Sequence, residues 1–375
     1  MKKATHCVHA GTVRDRDTGG VNSPIYPSSA FNYLESDEIT YPRYFNTPNQ
    51  RAVTDKLCAL EGAEDGVLFS SGMAAISTSI LAFAGAGDHV VLMDELYGGT
   101  HAFVTDVFQR LGIEYTFAGT DAAAVRDAVR GNTRVVVIES PTNPLLSVID
   151  IRQVAELASE HDLVTMIDNT FATPMNQNPL QLGMDIVVHS GTKYLGGHSD
   201  ICCGVALAAK DKAGRIRELA RSLGGSLNAI TCYLLERSLK TLAVRVQRQG
   251  DNAGRIAEFL AAHPGVARVY YPGLPESRGH DIARSQMRGF GAMLSFELKE
   301  GGVAADDFIR RLRLIEPAVS LGGVESTICS PARTSHAKLS AQEREKIGIT
   351  PGLLRLSVGI EELDDLLDDL ATSLA

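Results

Sequence analysis

Features that would point to nucleic acid, export or a metal are missing from this 375-residue sequence. Its 36 Lys and Arg residues are outnumbered by 45 Asp and Glu residues and form no run dense enough to follow a phosphate backbone, so no nucleic-acid partner is expected. The six cysteines are scattered without the C-x-x-C spacing of a zinc or dithiol site, which favours a reducing, cytoplasmic location and no metal. His6, His9 and Arg14 stand where a signal peptide would have its apolar stretch.

Long hydrophobic runs are also scarce. Residues 67–87 carry no charge and are about long enough to cross a bilayer, but their Gly, Ser and Thr residues indicate a strand, a turn and a buried helix instead. No membrane partner is therefore expected. Because 44% of the residues are hydrophobic, a disordered chain is excluded, and the length is enough for two domains.

The order of the hydrophobic patterns predicts an α/β fold. Between residues 51 and 240, short apolar runs that indicate strands alternate with amphipathic stretches that indicate helices, such as 72–84 and 151–161. This alternation predicts a mostly parallel sheet with helices on both faces and ligands at the carboxyl ends of its strands.

Two further segments flank this predicted sheet. Residues 1–50 contain several prolines and no helical or strand repeat, which predicts an irregular arm that lies on another surface. Residues 241–375 begin with a predicted long helix at 242–262, which leads into strands and helices of a smaller α+β C-terminal domain. The division is therefore into an arm (1–50), a large domain (51–240) and a smaller domain (241–375).

The strongest local signal is the segment 185–199, in which a buried strand ends in a small polar turn containing Ser190, Thr192 and Lys193. A lysine in this position can form a Schiff base with an aldehyde cofactor if its amine, with an ordinary pKa of about 10.4, is desolvated or lies near other cations. The alternative for an isolated lysine here is a solvated residue at the end of a strand.

A carboxylate follows the preceding apolar strand, because Asp168 stands 25 positions before Lys193, about one strand-to-strand step. Pyridoxal phosphate requires such a pair: the lysine holds the aldehyde, and the carboxylate keeps the pyridine nitrogen protonated. Without Lys193, Asp168 would be interpreted as a turn or N-cap carboxylate.

The phosphate of such a cofactor needs an anion site. Residues 69–75 combine a strand end, a small turn with Gly72 and Met73, and a helix start whose free N–H groups favour an anion. The hydroxyls of Ser190 and Thr192 can add donors. Tyr97, after the next strand, could stack on a planar ring, although an amphipathic interface tyrosine is the alternative.

Together these segments resemble the Cys/Met-metabolism family of pyridoxal-phosphate enzymes. The resemblance also rests on the motifs ESPTNP at 139–144, SLGGVES at 320–326 and LRLSVG at 354–359. It implies a fold-type I, aspartate-aminotransferase-like subunit in which Lys193 is the Schiff-base lysine and Asp168 pairs with the pyridine nitrogen. It further implies that Gly72, Met73, Ser190 and Thr192 bind the phosphate, that Tyr97 serves in ring stacking and proton transfer, that Asn143 and Arg355 bind the substrate carboxylate, and that Ser320 positions the lysine or the substrate.

The resemblance also implies an oligomer. Tyr41 and Arg43 are similar to a family pair that reaches the phosphate in a neighbouring subunit, so we expect a homo-oligomer, a dimer or tetramer, with shared active sites. Glu325 is similar to a glutamate that faces the distal ammonium of cystathionine in some members, and a surface carboxylate is the alternative.

The reaction that the resemblance implies is carbon–sulfur bond cleavage in an amino-acid substrate, with elimination on cystathionine as the first expectation. Replacement on O-succinyl- or O-acetylhomoserine with cysteine, as in a cystathionine γ-synthase, is the alternative, followed by O-acetylhomoserine sulfhydrylase or methionine γ-lyase activity. Ala102 stands where many cystathionine enzymes have an arginine, and Gly99 where methionine γ-lyases usually have a cysteine.

Two other interpretations of the lysine segment are weaker. Residues 190–193 match the S-x-x-K signature of serine-acylating enzymes, but the accompanying S-D-N and K-T-G motifs are each incomplete. A metal site built from His189, His198, Cys202 and Cys203 is disfavoured, because strand and turn positions do not bring four such ligands together. A non-enzymatic regulator or scaffold predicts the loss of Lys193, Asp168 or Arg355, and all three are present.

Overall fold

The computed structural model describes residues 1–337 and 340–375, and its largest element is a seven-stranded sheet. The strands of this sheet are β1 (Asp65–Phe69), β2 (His89–Met93), β3 (Glu114–Ala118), β4 (Thr133–Glu139), β5 (Val164–Asp168), β6 (Ile186–Ser190) and β7 (Gly204–Ala208). Their spatial order is β1-β7-β6-β5-β4-β2-β3. All neighbours from β6 to β3 are parallel, whereas β7 runs antiparallel to β6 and β1. The mostly parallel sheet is as predicted, and β3 and the antiparallel β7 are additions to it.

The sheet buries both of its faces, which explains why its strands are continuous apolar runs. Side chains alternate between the faces, so Val67 and Phe69 belong to one hydrophobic core and Leu68 to the other. The second core continues into the C-terminal part of the chain, where it includes Phe296 and Leu356.

Helices cover both faces, and local signals fix where several of them begin. The Ser71 hydroxyl accepts a hydrogen bond from the Ala74 N–H at 3.1 Å, and the Asp150 carboxylate accepts one from the Gln153 N–H at 3.1 Å. The helices of this part are α1 (Lys3–His9), α2 (Pro48–Glu61), α3 (Gly72–Leu81), α4 (Gly98–Phe103), α5 (Gln109–Leu111), α6 (Ala122–Asp127), α7 (Ile151–Glu160), α8 (Thr173–Asn176), α9 (Lys210–Leu223) and α10 (Ala229–Leu239), with a π-helical turn at Val104–Phe108.

A second, five-stranded sheet forms in the C-terminal part of the chain. It consists of β8 (Val266–Tyr270), β9 (Met293–Leu298), β10 (Glu316–Pro317), β11 (Thr327–Cys329) and β12 (Leu353–Ser357), in the order β10-β11-β12-β9-β8. Only the β10–β11 pair is parallel. The accompanying helices are α11 (Leu242–Ala262), α12 (His280–Gln286), α13 (Gly302–Arg311), α14 (Ala341–Lys346) and α15 (Leu363–Leu374). The long helix at 242–262 has the predicted bounds.

The prediction of irregular structure throughout residues 1–50 is wrong at both ends of that segment. Helix α1 forms at Lys3–His9, and α2 begins at Pro48. The side chain of Cys7 is fully buried, and its carbonyl oxygen accepts a hydrogen bond from Lys56 Nζ at 3.2 Å. Helix α1 is therefore stabilised by contacts that are distant in sequence.

Residues 67–87 contain the end of β1 and all of α3, which agrees with the prediction of a strand, a turn and a buried helix. Across the residues described, no helix combines the length and the apolar character that spanning a bilayer requires.

Candidate active site

Ten of the residues predicted to bind the cofactor or the substrate line one cavity of about 410 Å³. The cavity lies at the carboxyl ends of β4, β5 and β6, and residues that follow β10 and belong to β12 close its other side. Parallel strands present their carboxyl ends at one edge of the sheet, which is why distant segments meet here. The ten residues are Gly72, Met73, Tyr97, Asn143, Asp168, Ser190, Thr192, Lys193, Ser320 and Arg355.

Lys193 lies three residues beyond the end of β6. Its Nζ donates a hydrogen bond to the Ser320 hydroxyl at 2.6 Å, which links the two sheets of the molecule. Burial, and after it the charge of Arg355, lowers the pKa of Lys193 to about 8. A larger fraction of this amine is therefore uncharged near neutral pH than of an ordinary lysine, as a nucleophilic lysine requires.

Asp168 ends β5, and Thr170 holds its carboxylate in place. The Thr170 N–H donates to Asp168 Oδ1 at 3.0 Å, and the Thr170 hydroxyl donates to the same oxygen. Burial raises the pKa of Asp168, and the hydrogen bonds from Thr170 oppose that shift. Thr170 also accepts a bond from the Ser190 N–H at 2.9 Å, so one hydroxyl connects β5 to β6. Thr170 was not predicted to belong to the site; its position two residues after Asp168 is the sequence signal that could have identified it.

The start of α3 lies close against the end of β6 in the wall of the cavity. A Cβ atom on Gly72 would stand 2.8 Å from Cβ and 2.9 Å from Oγ of Ser190, so only glycine permits this approach. The neighbouring Gly204 would place a Cβ atom 2.2 Å from the Ser71 carbonyl oxygen. Backbone N–H groups at the start of a ten-residue helix, next to two hydroxyls, are suited to a phosphate.

Arg355 projects from β12 into the cavity and is only 5% exposed. One guanidinium nitrogen, Nη1, donates to Asn143 Oδ1 at 2.8 Å, and Nη2 donates to the Ser320 carbonyl oxygen at 3.1 Å. The Nε group is buried and has no hydrogen-bond partner among the residues described. A buried guanidinium with an unsatisfied N–H matches a carboxylate ligand.

Tyr97 stands at the start of α4 with its side chain 41% exposed at the cavity. Its backbone N–H donates to Glu139 Oε2 at 2.9 Å. Glu139 also lines the cavity, although the sequence analysis gave it no role. A Cβ atom on Gly99 would stand 2.4 Å from the Tyr97 ring, so a larger residue there would have to displace the ring.

Three residues singled out from the sequence lie elsewhere. Tyr41 and Arg43 are exposed and do not line this cavity; Arg43 Nη1 donates to the Arg221 carbonyl oxygen at 2.6 Å. Glu325 is also outside the cavity lining, and its Oε2 accepts a hydrogen bond from the Ser199 hydroxyl at 3.2 Å.

The two histidines suggested as metal ligands have other partners. His189 Nε2 lies 2.7 Å from the buried carboxylate of Glu61, and His198 Nδ1 lies 2.8 Å from the Gly196 carbonyl oxygen. Within the described residues, no group of three His, Cys, Asp or Glu side chains could hold a metal ion.

These features fit pyridoxal phosphate. The cavity contains a desolvated amine, a buried carboxylate fixed by hydrogen bonds and a glycine-lined anion cradle, which are the three groups that the aldehyde, the pyridine nitrogen and the phosphate require.

Comparison with known proteins gives the same result over the whole chain. Residues 4–375 match the family model described as Cys/Met metabolism PLP-dependent enzyme. The chain is 44% identical to a cystathionine gamma-lyase of Bacillus subtilis (strain 168), covering 100% of this chain and 99% of that protein. It is 45% identical to the cystathionine beta-lyase MetC of the same strain, covering 99% and 95%.

A solved structure agrees closely in fold. The cystathionine gamma synthase of Xanthomonas oryzae pv. oryzae, in complex with aminoacrylate and cysteine, superposes with a TM-score of 0.96 at 39% identity, covering 100% of this chain and 98% of that one. Both the sequence and the fold are thus matched from end to end. The chain therefore belongs to the family of pyridoxal-phosphate-dependent enzymes of cysteine and methionine metabolism.

Proposed function

We propose that the protein breaks a carbon–sulfur bond of an amino acid, with β- or γ-elimination of cystathionine as its reaction. The products are an oxoacid, ammonia and a thiol amino acid. The observation that carries the proposal is the convergence of the Lys193 amine, the Asp168 carboxylate and the Arg355 guanidinium on one cavity. The substrate comes from relatives that are named for cystathionine cleavage, among them the two described above.

In this proposal Lys193 Nζ holds the cofactor aldehyde and, when freed by the substrate amine, accepts the proton from the substrate Cα. Its pKa of about 8 suits both tasks, because the amine loses its proton easily and can also take one up near neutral pH. The Tyr97 hydroxyl is the second group assigned to this proton transfer. Pyridoxal phosphate, when bound, supplies an electron sink for the resulting carbanion. Asp168 keeps the proton on the pyridine nitrogen.

Arg355 and Asn143 are proposed to bind the α-carboxylate of the substrate, and Ser320 to position Lys193. The guanidinium lies within hydrogen-bond distance of Asn143 Oδ1, and its Nε group is free to donate to an incoming anion. Gly72, Met73, Ser190 and Thr192 are proposed to bind the phosphate, within a cofactor-binding domain that spans residues 51–240.

The first test is the fate of the cofactor in Lys193→Ala. Purified wild-type protein should absorb visible light, and borohydride should fix the cofactor on the peptide that contains Lys193. The Lys193→Ala variant should lack both signals, whereas the exposed Lys210→Ala should keep them. Colour that survives borohydride treatment in Lys193→Ala, or a label on another lysine, would contradict the proposal.

The second test separates elimination from replacement. The enzyme is supplied with cystathionine alone, and then with O-succinyl- or O-acetylhomoserine together with cysteine. Pyruvate or 2-oxobutyrate from cystathionine alone supports the proposed lyase. Cystathionine formed only in the second reaction would show a γ-synthase, the activity named for the solved structure that superposes on this chain. If Glu325 faces the distal ammonium of cystathionine, Glu325→Gln should raise KM for cystathionine more than for methionine.

We also propose that the active site is shared between copies of the chain in a dimer or tetramer. Tyr41 and Arg43 lie on an arm that exposes several large apolar side chains, namely Val21, Tyr33, Leu34 and Ile39. Such a surface is suited to a second copy. In a shared site, Arg43 of one copy completes the phosphate site of another.

Mixing two inactive variants tests the shared site. After dissociation and reassociation, Arg43→Ala and Lys193→Ala subunits should form mixed dimers with one intact site each, which returns about a quarter of the wild-type activity. If each site were built from a single chain, the mixture would show only the mean of the two parents.

A further inference from the structure

Glu139 is a buried carboxylic acid in the cavity wall to which the proposed reaction gives no task. It is the last residue of β4 and is 5% exposed. In the sheet register it stands beside Asp168, the last residue of β5, so the two carboxyl groups share one edge of the sheet. Burial, followed by the charge of Asp168, raises the pKa of Glu139 well above its usual range. Burying a second carboxyl group beside Asp168 costs free energy, so we expect Glu139 to have a role that offsets this cost.

The two oxygens of Glu139 each accept a backbone hydrogen bond from a different cavity loop. Oε1 accepts from the Asn143 N–H at 2.7 Å, and Oε2 accepts from the Tyr97 N–H at 2.9 Å. The first loop follows β4 and the second follows β2. One carboxyl group therefore fixes the distance between these two loops.

The Asn143 side chain extends this link to the other side of the cavity. Asn143 Oδ1 accepts from Arg355 Nη1 at 2.8 Å, and Arg355 Nη2 donates to the Ser320 carbonyl oxygen at 3.1 Å. The Ser320 hydroxyl in turn accepts from Lys193 Nζ at 2.6 Å. A continuous series of hydrogen bonds thus runs from the tyrosine loop, through Glu139, to the reactive amine.

Other side chains cannot replace a carboxyl group in this position. Glutamine has one acceptor oxygen and a donor NH₂ group, so one of the two backbone N–H groups would face another donor. Aspartate retains two acceptors, but its side chain is one CH₂ shorter and cannot reach both N–H groups at these distances. The requirement is for two acceptor oxygens at the end of a glutamate side chain.

We propose that Glu139 is a positioning residue that holds Tyr97 and the Asn143–Arg355 pair at a fixed separation. The group that stacks on the cofactor and the groups that bind the substrate carboxylate then keep their relative positions. This inference rests on the roles proposed above for Tyr97, Asn143 and Arg355. It assigns Glu139 no contact with the reacting atoms.

A double-mutant cycle between Glu139→Gln and Asn143→Ala tests the inference. Each single variant should raise KM for the amino-acid substrate about tenfold. Glu139→Gln weakens the backbone hydrogen bonds that hold the Asn143 loop, and Asn143→Ala removes the side chain that contacts Arg355 where the substrate carboxylate binds. Asn143→Ala keeps the backbone N–H that Glu139 binds but removes the side chain that Glu139 positions, so the double variant should raise KM by less than the product of the two single effects. Multiplied effects in the double variant, or an unchanged KM in Glu139→Gln, would overturn the inference.

The tyrosine side of the link has a spectroscopic readout. Circular dichroism of the bound cofactor in the visible range should change in Glu139→Gln, because the Tyr97 loop loses its anchor. Glu95→Gln is the matched control: Glu95 also lies near this cluster, but its partners are the side chains of Thr142, at 2.8 Å, and Ser147, and these hydroxyls can pair with the oxygen or the NH₂ group of glutamine. Glu95→Gln should leave KM and the dichroism unchanged; a change equal to that in Glu139→Gln would overturn the inference.

The outcomes also separate this inference from the proposed function. A wild-type protein without a visible cofactor band would contradict the proposed function itself. A normal band in both wild type and Glu139→Gln, with unchanged dichroism and KM, would contradict only the role of Glu139. If Glu139→Gln does not fold, Glu139→Asp decides in the same measurements, with the same expected losses and the same refuting result.

Discussion

Replacing Gly72 with alanine is expected to weaken cofactor binding because of a collision that the structure defines. The new methyl group would stand 2.8 Å from Ser190 Cβ, 2.9 Å from its Oγ and 3.1 Å from its Cα. Carbon atoms pack best at about 3.5–4.0 Å, so the start of α3 and the end of β6 must separate by roughly 0.7 Å. Rotating the Ser190 side chain does not relieve the contacts, because two of the three atoms are Cα and Cβ.

The size of the effect follows from the position of this contact. Forcing an extra methyl group into a packed site costs about 1–3 kcal/mol. The same separation moves the N–H groups of α3 away from the hydroxyls of Ser190 and Thr192, which together form the proposed phosphate site. Because each 1.4 kcal/mol is about a tenfold change in Kd, Gly72→Ala should raise the Kd for pyridoxal phosphate roughly 5- to 150-fold.

The assay is a titration of the apoprotein with pyridoxal phosphate, followed by visible absorbance. Gly214→Ala is the matched control, because Gly214 lies within α9 and a Cβ atom there meets no heavy atom within 4 Å. That variant should keep the wild-type Kd and gain about 1 kcal/mol of helix stability. Wild-type affinity in Gly72→Ala would refute the argument that close approach of α3 and β6 forms the phosphate site.

Two further predictions concern charge in the cavity. Because the pKa of Lys193 is lowered to about 8, its amine loses its proton as the pH rises through 8; the rate at which apoprotein binds pyridoxal phosphate should therefore increase through this pH, and a rate independent of pH between 7 and 9 would contradict the lowered pKa. Arg355→Ala should raise KM for every amino-acid substrate about 10- to 100-fold by removing charge-assisted bonds to the carboxylate, with Arg355→Lys intermediate; an unchanged KM in steady-state kinetics would remove Arg355 from carboxylate binding.

Much of the fold could be predicted because its signals are local. The buried parallel strands are continuous apolar runs, and the long helix at 242–262 has a clear amphipathic pattern. Helix α1 was missed, since it is stabilised by burial of Cys7 against elements far along the chain. Strand β7 is rich in Gly and Ala, and nothing local distinguishes an antiparallel return from one more parallel strand.

The residues of the site could likewise be predicted only where their signals are local in the sequence. Lys193 and Asp168 could be singled out because Asp168 stands at the end of an apolar strand and Lys193 in the short turn after the next one, and the spacing between them fits one strand-to-strand step. The link made by Glu139 could not be predicted, because one of its N–H partners is 42 residues away. Glu325 lies outside the cavity lining, and its contact with the distal ammonium of cystathionine stays a prediction.

The two halves of the cavity come from different sheets. The groups assigned to the cofactor lie at the ends of strands of the seven-stranded sheet or just after them, whereas Arg355 belongs to β12 of the five-stranded sheet, and Ser320, which follows β10, meets Lys193 through its hydroxyl. Substitutions in the smaller sheet can therefore alter which amino acid is accepted while the chemistry of pyridoxal phosphate is retained. Such a partition offers a physical route by which one ancestral scaffold could give rise to enzymes with different preferences for sulfur compounds.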